Sequence, residues 1–163
     1  MSSTIRAYIG LGSNLENPRR QVELALTEIS EIPQTRLLKS SRWYQSKAVG
    51  PGQQPDYVNG VALIETGLEP HQLLDQLQAI EEAHERVRKI RWGPRTLDLD
   101  LLLFGAECID TPRLTIPHAY LTQRNFVLYP LADITEDLVL PSGEVRESLL
   151  ANCSSEELFP IQD

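Results

Sequence analysis

The stretch Arg91–Gly105, RWGPRTLDLDLLLFG, carries two aspartates where a core strand would put apolar groups. Leu97, Leu99, Leu101 and Leu103 alternate with Asp98, Asp100 and Leu102, the period-two pattern of a strand with one buried face. Aspartate is depleted in strands because its side chain competes for the local backbone and fits poorly on a half-buried pleat. Alternation puts Asp98 and Asp100 on one face, with Cα atoms roughly 6.5–7 Å apart. It puts the four odd-numbered leucines on the other face, toward the core. A bare D-x-D is often only a solvated face, but here Leu102 shares the face and a run of cations lies just upstream. Two converging carboxylates suit a hard cation such as Mg²⁺, which is usually shared between protein carboxylates and substrate phosphates. A central strand would hold such a pair rigidly.

The cations are Arg86, Arg88, Lys89, Arg91 and Arg95, five of the 15 basic residues in the chain. Compensation of a helix dipole covers Arg86 to Lys89, but not Arg95, which lies beyond Gly93-Pro94. Arginine grips phosphate oxygens through a planar fork of donors. An arginine-bearing loop beside two carboxylates is the equipment of phosphoryl transfer, where the protein positions groups and neutralises charge. Other phosphate and hydrolase signatures are missing. There is no GxxxxGK[ST], Leu15 stands where the third glycine of a GxGxxG would fall, His84-Glu85 does not extend to HExxH, and no GxSxG occurs.

The totals agree with one enzyme-sized unit. The 163 residues suit a single domain over 1–163. The net charge of −8 opposes a general grip on nucleic acid or anionic membrane. Cys108 and Cys153 belong to no CxxC or Cys/His cluster and read as free thiols in a reducing compartment. Neither a signal peptide nor an apolar run of about 20 residues is present, so the expectation is a cytoplasmic monomer without membrane or nucleic-acid partners.

Hydrophobic spacing predicts the elements. A first strand spans 4–11. An amphipathic helix spans 18–30, with Val22, Ala25, Leu26 and Ile29 inward, Pro18 at its first position and Asn17 as N-cap. Strands follow at 35–46 and 57–66, separated by the Gly- and Pro-rich loop KAVGPGQQPD. A second helix spans 70–88, with Leu73, Leu74, Leu77 and Ile80 inward, and the Asp-bearing strand spans 97–104. Short strands and turns fill 106–117. Helices are expected near 119–128 and at 144–151, the latter with Val145, Ser148 and Leu149 inward. This order predicts an α+β domain with helices on a mainly antiparallel sheet.

With these residues in place, the chain resembles the 6-hydroxymethyl-7,8-dihydropterin pyrophosphokinase family over nearly its whole length. RWGPRTLDLDLLLFG is the most specific part; YIGLGSNLENP, VGPGQQPDYVNG, RVRK, and RLTIPH followed by RNF support it. The resemblance implies a ferredoxin-like βαββαβ fold with long mobile active-site loops. It implies transfer of the β,γ-diphosphate of ATP to the pterin hydroxymethyl group, with AMP as the other product. Asp98 and Asp100 would hold two Mg²⁺ ions, and Arg86 and Arg95 would act with them in catalysis. Gln78, Glu81, Arg86, Arg88, Arg95, Leu101, Arg113, Leu114, Thr115, His118 and Arg124 would bind ATP. Ser46, Val49, Tyr57, Asn59, Trp92, Asp98 and Phe126 would bind the pterin, with Tyr57 and Phe126 as the two stacking rings. Ala119 departs from the family, which commonly has an aromatic there, and Lys47-Ala48 replaces a proline-rich pair. An RNA-binding module on the same general fold would use the arginine loop, but the aromatic-rich RNA-binding signature is absent. A weakened paralogue would bind the substrates without turnover.

Overall fold

The computed structural model describes residues 4–14, 17–46, 56–87, 96–119 and 121–161, with the backbone alone over 85–87. Strand β1 (Ile5–Ser13) leads through Asn17 into helix α1 (Pro18–Ser30). Two short strands, β2 (Thr35–Ser40) and β3 (Tyr44–Ser46), precede the long β4 (Tyr57–Thr66). Helix α2 (Pro70–Val87) is followed by β5 (Leu97–Phe104). The hairpin β6 (Ile109–Asp110) and β7 (Thr115–Ile116), helices α3 (Asn125–Asp133) and α4 (Arg146–Ala151), and strand β8 (Leu158–Pro160) complete the chain.

The sheet runs β5-β1-β4-β3-β8, with β2 also on β4, and every pairing is antiparallel. This is the expected α+β arrangement, βαββαβ with its second strand in two pieces. Burial on both faces makes three layers. Val22, Ala25 and Ile29 of α1 and Leu73, Leu74 and Leu77 of α2 cover Ala7, Ile9, Leu11, Ala62, Ile64, Leu97, Leu99 and Leu101 on one face. Val127, Leu128 and Leu131 of α3, with Leu149 of α4, cover Val61, Leu102 and Leu103 on the other. Truncating one such leucine to alanine costs about 2–5 kcal/mol, so each layer contributes substantially.

Several expectations need correction. The predicted strand 35–46 is broken. Residues 41–43 bulge between the β2 and β3 pairings, with Val61 N–H donating to Ser41 Oγ at 2.9 Å. The Trp43 ring lies over Gly60, where an added Cβ would come within 2.6 Å of it. Leu103 does not face the α1–α2 core. A bulge in the β1–β5 register, between Tyr8 and Ile9, reverses the alternation, so Leu102 and Leu103 both join the α3 layer and Phe104 returns to the first core. Strand β5 is an edge strand of the sheet, not a central one.

The later helices shift as well. The one expected near 119–128 starts at Asn125, because its apolar run FVLYPL buries Val127, Leu128, Pro130 and Leu131 despite the internal proline. The last helix begins at Arg146; of its expected inward residues only Leu149 is buried, while Val145 is 41% exposed and Ser148 is exposed. Asn17 occupies the N-cap position in a left-handed conformation and makes no side-chain cap bond. Gln21 and Glu28 do not simply face solvent; both bond His84 of α2 and tie the two helices together.

A polar tie fastens α3 to the sheet. The Tyr44 hydroxyl donates to Asp133 Oδ2 at 2.6 Å and accepts from Arg42 Nη2 at 2.8 Å. Burial, followed by the bond to Asp133, pushes the Tyr44 phenol up to about 12. An unfolded tyrosine releases its proton near pH 10, so the folded state keeps a proton that the unfolded chain loses. The resulting stabilisation is full below about pH 10 and is lost as pH rises toward 12. We therefore expect wild type to lose denaturant resistance between pH 10 and 12 more steeply than Tyr44→Phe. Equal slopes in a pH series of urea melts would contradict this.

Candidate active site

The site forms on the α3 face of the sheet, where β1 lacks side chains. Even-numbered residues of β1 point to this face, and two of them are Gly10 and Gly12. Gly12 lies opposite Asp98 on one side and Asn59 on the other; Gly10 lies opposite Asp100 and Val61. A Cβ at Gly12 would sit 2.9 Å from Asn59 Oδ1. The glycines thus leave a bare floor between the carboxylate strand and β4. A cavity of about 480 Å³ opens above it, lined by Ser46, Tyr57, Asn59, Asp98, Asp100, Arg124 and Phe126 together with Gly10, Leu11, Gly12, Gly60 and Val127. That size suits a small-molecule ligand.

The polar groups of this cavity are tied to one another. Thr96 Oγ1 donates to Asp98 Oδ2 at 3.1 Å. Tyr57 Oη lies 3.0 Å from Thr96 Oγ1; since the threonine proton is committed to the carboxylate, the tyrosine is the donor there. Thr96 is itself pinned, its N–H to Asn14 Oδ1 at 2.9 Å and its carbonyl to Ser13 Oγ and Asn14 N at 3.1 Å each. Asn59 is buried at 3% exposure, and its Nδ2 donates to Ser46 Oγ at 2.7 Å. Phe126 is half-buried with the Arg124 guanidinium 5.8 Å from its ring centroid.

The outer edge of β5 is closed by other elements. Glu81 of α2 accepts the Leu99 N–H at 2.7 Å. The His118 N–H donates to the Leu102 carbonyl at 3.0 Å, which brings the His118 ring to 4.0 Å from Asp100 Oδ2. These contacts stiffen an edge strand that would otherwise present unpaired backbone groups. Arg113 reaches back from the β6–β7 hairpin to Asp75 Oδ1 at 2.7 Å and Gln78 Oε1 at 3.0 Å.

Asp98 is exposed and Asp100 half-exposed, two residues apart on one face, with oxygen donors only. Such a pair fits a divalent cation that keeps waters and completes its shell with phosphate oxygens. No group of three or more metal-ligating side chains occurs among the described residues.

The sequence-derived candidates divide into four sets. Ser46, Tyr57, Asn59, Asp98, Asp100, Arg124 and Phe126 share the cavity. Gln78 and Glu81 of α2, Arg113 of the β6–β7 turn, Thr115 of β7 and His118 beyond it lie on the outer side of β5. Leu101 and Leu114 have side chains buried in the α1–α2 core, at 3% and 7% exposure, and do not line the cavity. Val49, Arg88, Trp92 and Arg95 lie outside the described residues, and Arg86 is described only as backbone near the end of α2. The residues missed from the sequence are Gly10, Gly12 and Thr96. In the sequence the Gly-x-Gly reads as a broken dinucleotide fingerprint and as part of YIGLGSNLENP; its period-two spacing on a strand is the signal for a bare floor.

Comparison with known proteins places the chain among relatives. A family model described as 7,8-dihydro-6-hydroxymethylpterin-pyrophosphokinase matches residues 8–136. A Pseudomonas aeruginosa protein named 2-amino-4-hydroxy-6-hydroxymethyldihydropteridine pyrophosphokinase is 54% identical over 151 residues, covering 93% of each chain. One of the same name from Haemophilus influenzae is 50% identical, over 96% of this chain and 98% of its own. Among solved structures, the Plasmodium falciparum HPPK-DHPS with pterin and p-hydroxybenzoate superposes with a TM-score of 0.70 at 14% identity. It shares the fold, and the present chain spans 43% of its length.

Replacing Glu81 removes the acceptor of the Leu99 N–H from the open edge of β5. We expect Glu81→Ala to raise the hydrogen-exchange rate of the Leu99 amide at least tenfold while leaving that of Leu11, on the paired β1, near wild type. Unchanged Leu99 protection would show that the carboxylate does not hold the strand.

Proposed function

The chain belongs to the 7,8-dihydro-6-hydroxymethylpterin-pyrophosphokinase family, and we propose that the cavity above Gly10 and Gly12 is where it performs that family's reaction. The enzyme transfers the pyrophosphoryl group of ATP to 6-hydroxymethyl-7,8-dihydropterin in folate biosynthesis. The hydroxymethyl oxygen bonds to the β-phosphorus, the bond from that phosphorus to the α,β-bridging oxygen breaks, and AMP leaves as the hydroxyl proton is lost.

The observation that carries the site assignment is the juxtaposition of two carboxylates with an aromatic and amide wall in one cavity. Tyr57 and Phe126 stack on the two faces of the pterin, and Asn59, buried and oriented by Ser46, bonds its edge. Ser46, Val49 and Trp92 complete the pterin surroundings. Asp98 and Asp100 would hold Mg²⁺, with two ions expected, and the metal would supply positive charge to the polyphosphate as the β-phosphorus reacts. The Tyr57–Thr96–Asp98 chain fixes the Asp98 carboxylate, so its position does not have to be found during the reaction. Arg86, Arg88 and Arg95 engage the phosphates; Gln78, Glu81, Arg113, Thr115, His118 and Arg124 form the nucleotide side, with Leu114, whose side chain is in the core, contributing only its backbone. For Leu101, whose side chain is in the core, only the backbone is available to ATP.

The protein acts as one domain over 1–163, a cytoplasmic monomer with no nucleic-acid partner. No helix among the described residues is long and apolar enough to cross a membrane.

Incubation with ATP, Mg²⁺ and the pterin should yield AMP; ADP as product would contradict the reading. Asp98→Ala and Asp100→Ala should each lower kcat/KM by more than about 10³-fold. Arg86→Ala should lower kcat roughly 10²-fold with little change in the KM for the pterin, because its contact is made in the transition state. Retained turnover in both aspartate variants, or a pure KM effect at Arg86, would overturn the assigned roles.

A further inference from the structure

We propose that Arg42, Tyr44 and Asp133 form a latch that sets the width of the pterin slot, which makes Tyr44 and Asp133 positioning residues for the pterin. The proposal deepens the preceding reading and rests on its placement of the pterin between Tyr57 and Phe126. None of the three latch residues lines the cavity, so they act through the elements they join.

The geometry joins the two walls of the slot. Tyr44 lies opposite Asn59 in the β3–β4 register, and two residues further along β3 is Ser46, the partner of the Asn59 amide. The Tyr44 side chain turns to the α3 face, at 5% exposure, and donates to Asp133 Oδ2 at 2.6 Å. Arg42 completes the triangle: Nε reaches Asp133 Oδ2 at 3.3 Å, Nη2 reaches Oδ1 at 3.2 Å, and Nη2 also donates to Tyr44 Oη at 2.8 Å. Its guanidinium carbon lies 5.3 Å from the Tyr44 ring centroid.

Asp133 is the last residue of α3, and Phe126 is the second. The nine-residue helix is roughly 13 Å long, so Phe126 and Asp133 sit near opposite ends of one short element, with Pro130 between them, and an anchor at Asp133 restrains the helix that carries Phe126. Strand β3 has only three residues, laddered to β4 on one side and to the equally short β8 on the other, and it follows the irregular segment 41–43. The latch fastens this short strand, bearing Ser46, to the helix bearing Phe126. A charge-assisted bond to a largely buried phenol is stronger than a neutral one, and losing one partner strands the other. Such a contact can hold the gap between Phe126 and the Tyr57–Asn59 wall near the thickness of a planar ring.

The test is steady-state AMP formation by the full chain, with Tyr44→Phe and Asp133→Asn beside wild type. Tyr44→Phe keeps the ring and its packing and removes only the hydroxyl. The latch predicts that the pterin KM rises roughly three- to tenfold in each variant, with kcat and the ATP KM within twofold of wild type. Arg42→Lys, which keeps the charge but loses the fork, should show the same split to a smaller degree, and it decides the matter if Asp133→Asn does not fold. An unchanged pterin KM, or kcat and both KM values shifting together, would overturn the latch. Absence of AMP formation by wild type would instead defeat the functional reading beneath it.

Discussion

The site depends on one strand carrying nothing. Strand β1 lies between β5 and β4, and at the two positions facing the cavity it is glycine. Any side chain at Gly12 would press on the Asn59 amide, and one at Gly10 would fill the floor beside Leu102. With both absent, Asp98 and Asp100 on one neighbour and Tyr57 and Asn59 on the other look across an open strip one strand wide. Backbone pairing, not side-chain contact, sets that separation, so it is as rigid as the ladder itself. One cavity therefore brings carboxylates together with an aromatic ring and an amide.

The rest of the fold serves this strip. The α1–α2 layer fixes the opposite face of the sheet through Ile9, Leu11, Leu97 and Leu99. Glu81 and the segment around His118 close the edge that β5 would otherwise leave open. Helix α3 roofs the remaining face with Phe126 and is tied down at its far end by Asp133. Few of these contacts are individually strong, but each restrains a different degree of freedom of the cavity wall.

Much of this could be read from the sequence, because strand alternation and helix spacing are local properties. The Asp98–Asp100 pair, helix 18–30 and strand 97–104 follow directly from periodicity. The misreadings arise where tertiary context decides. Leu103 changes face because of a bulge opposite Tyr8–Ile9, and no local pattern announces it. Strand 35–46 breaks where Trp43 packs over Gly60, a contact between residues far apart in sequence. Asn125–Asp133 contains Phe, Val, Tyr and an internal proline, so propensity argues against the helix that burial of Val127, Leu128 and Leu131 enforces. The role of Thr96 depended on Tyr57 and Asn14 arriving from other strands and loops.

The central claim is that the carboxylates of β5 hold the metal and phosphates directly above the glycines of β1. It can be tested by adding trace Mn²⁺ to isotope-labelled protein saturated with a non-hydrolysable ATP analogue and recording which backbone amide signals broaden. The account predicts early loss of the Gly10, Gly12 and Leu99 signals, and their recovery in Asp98→Asn/Asp100→Asn. Sharp signals at these positions, or broadening that persists in the double variant, would contradict it.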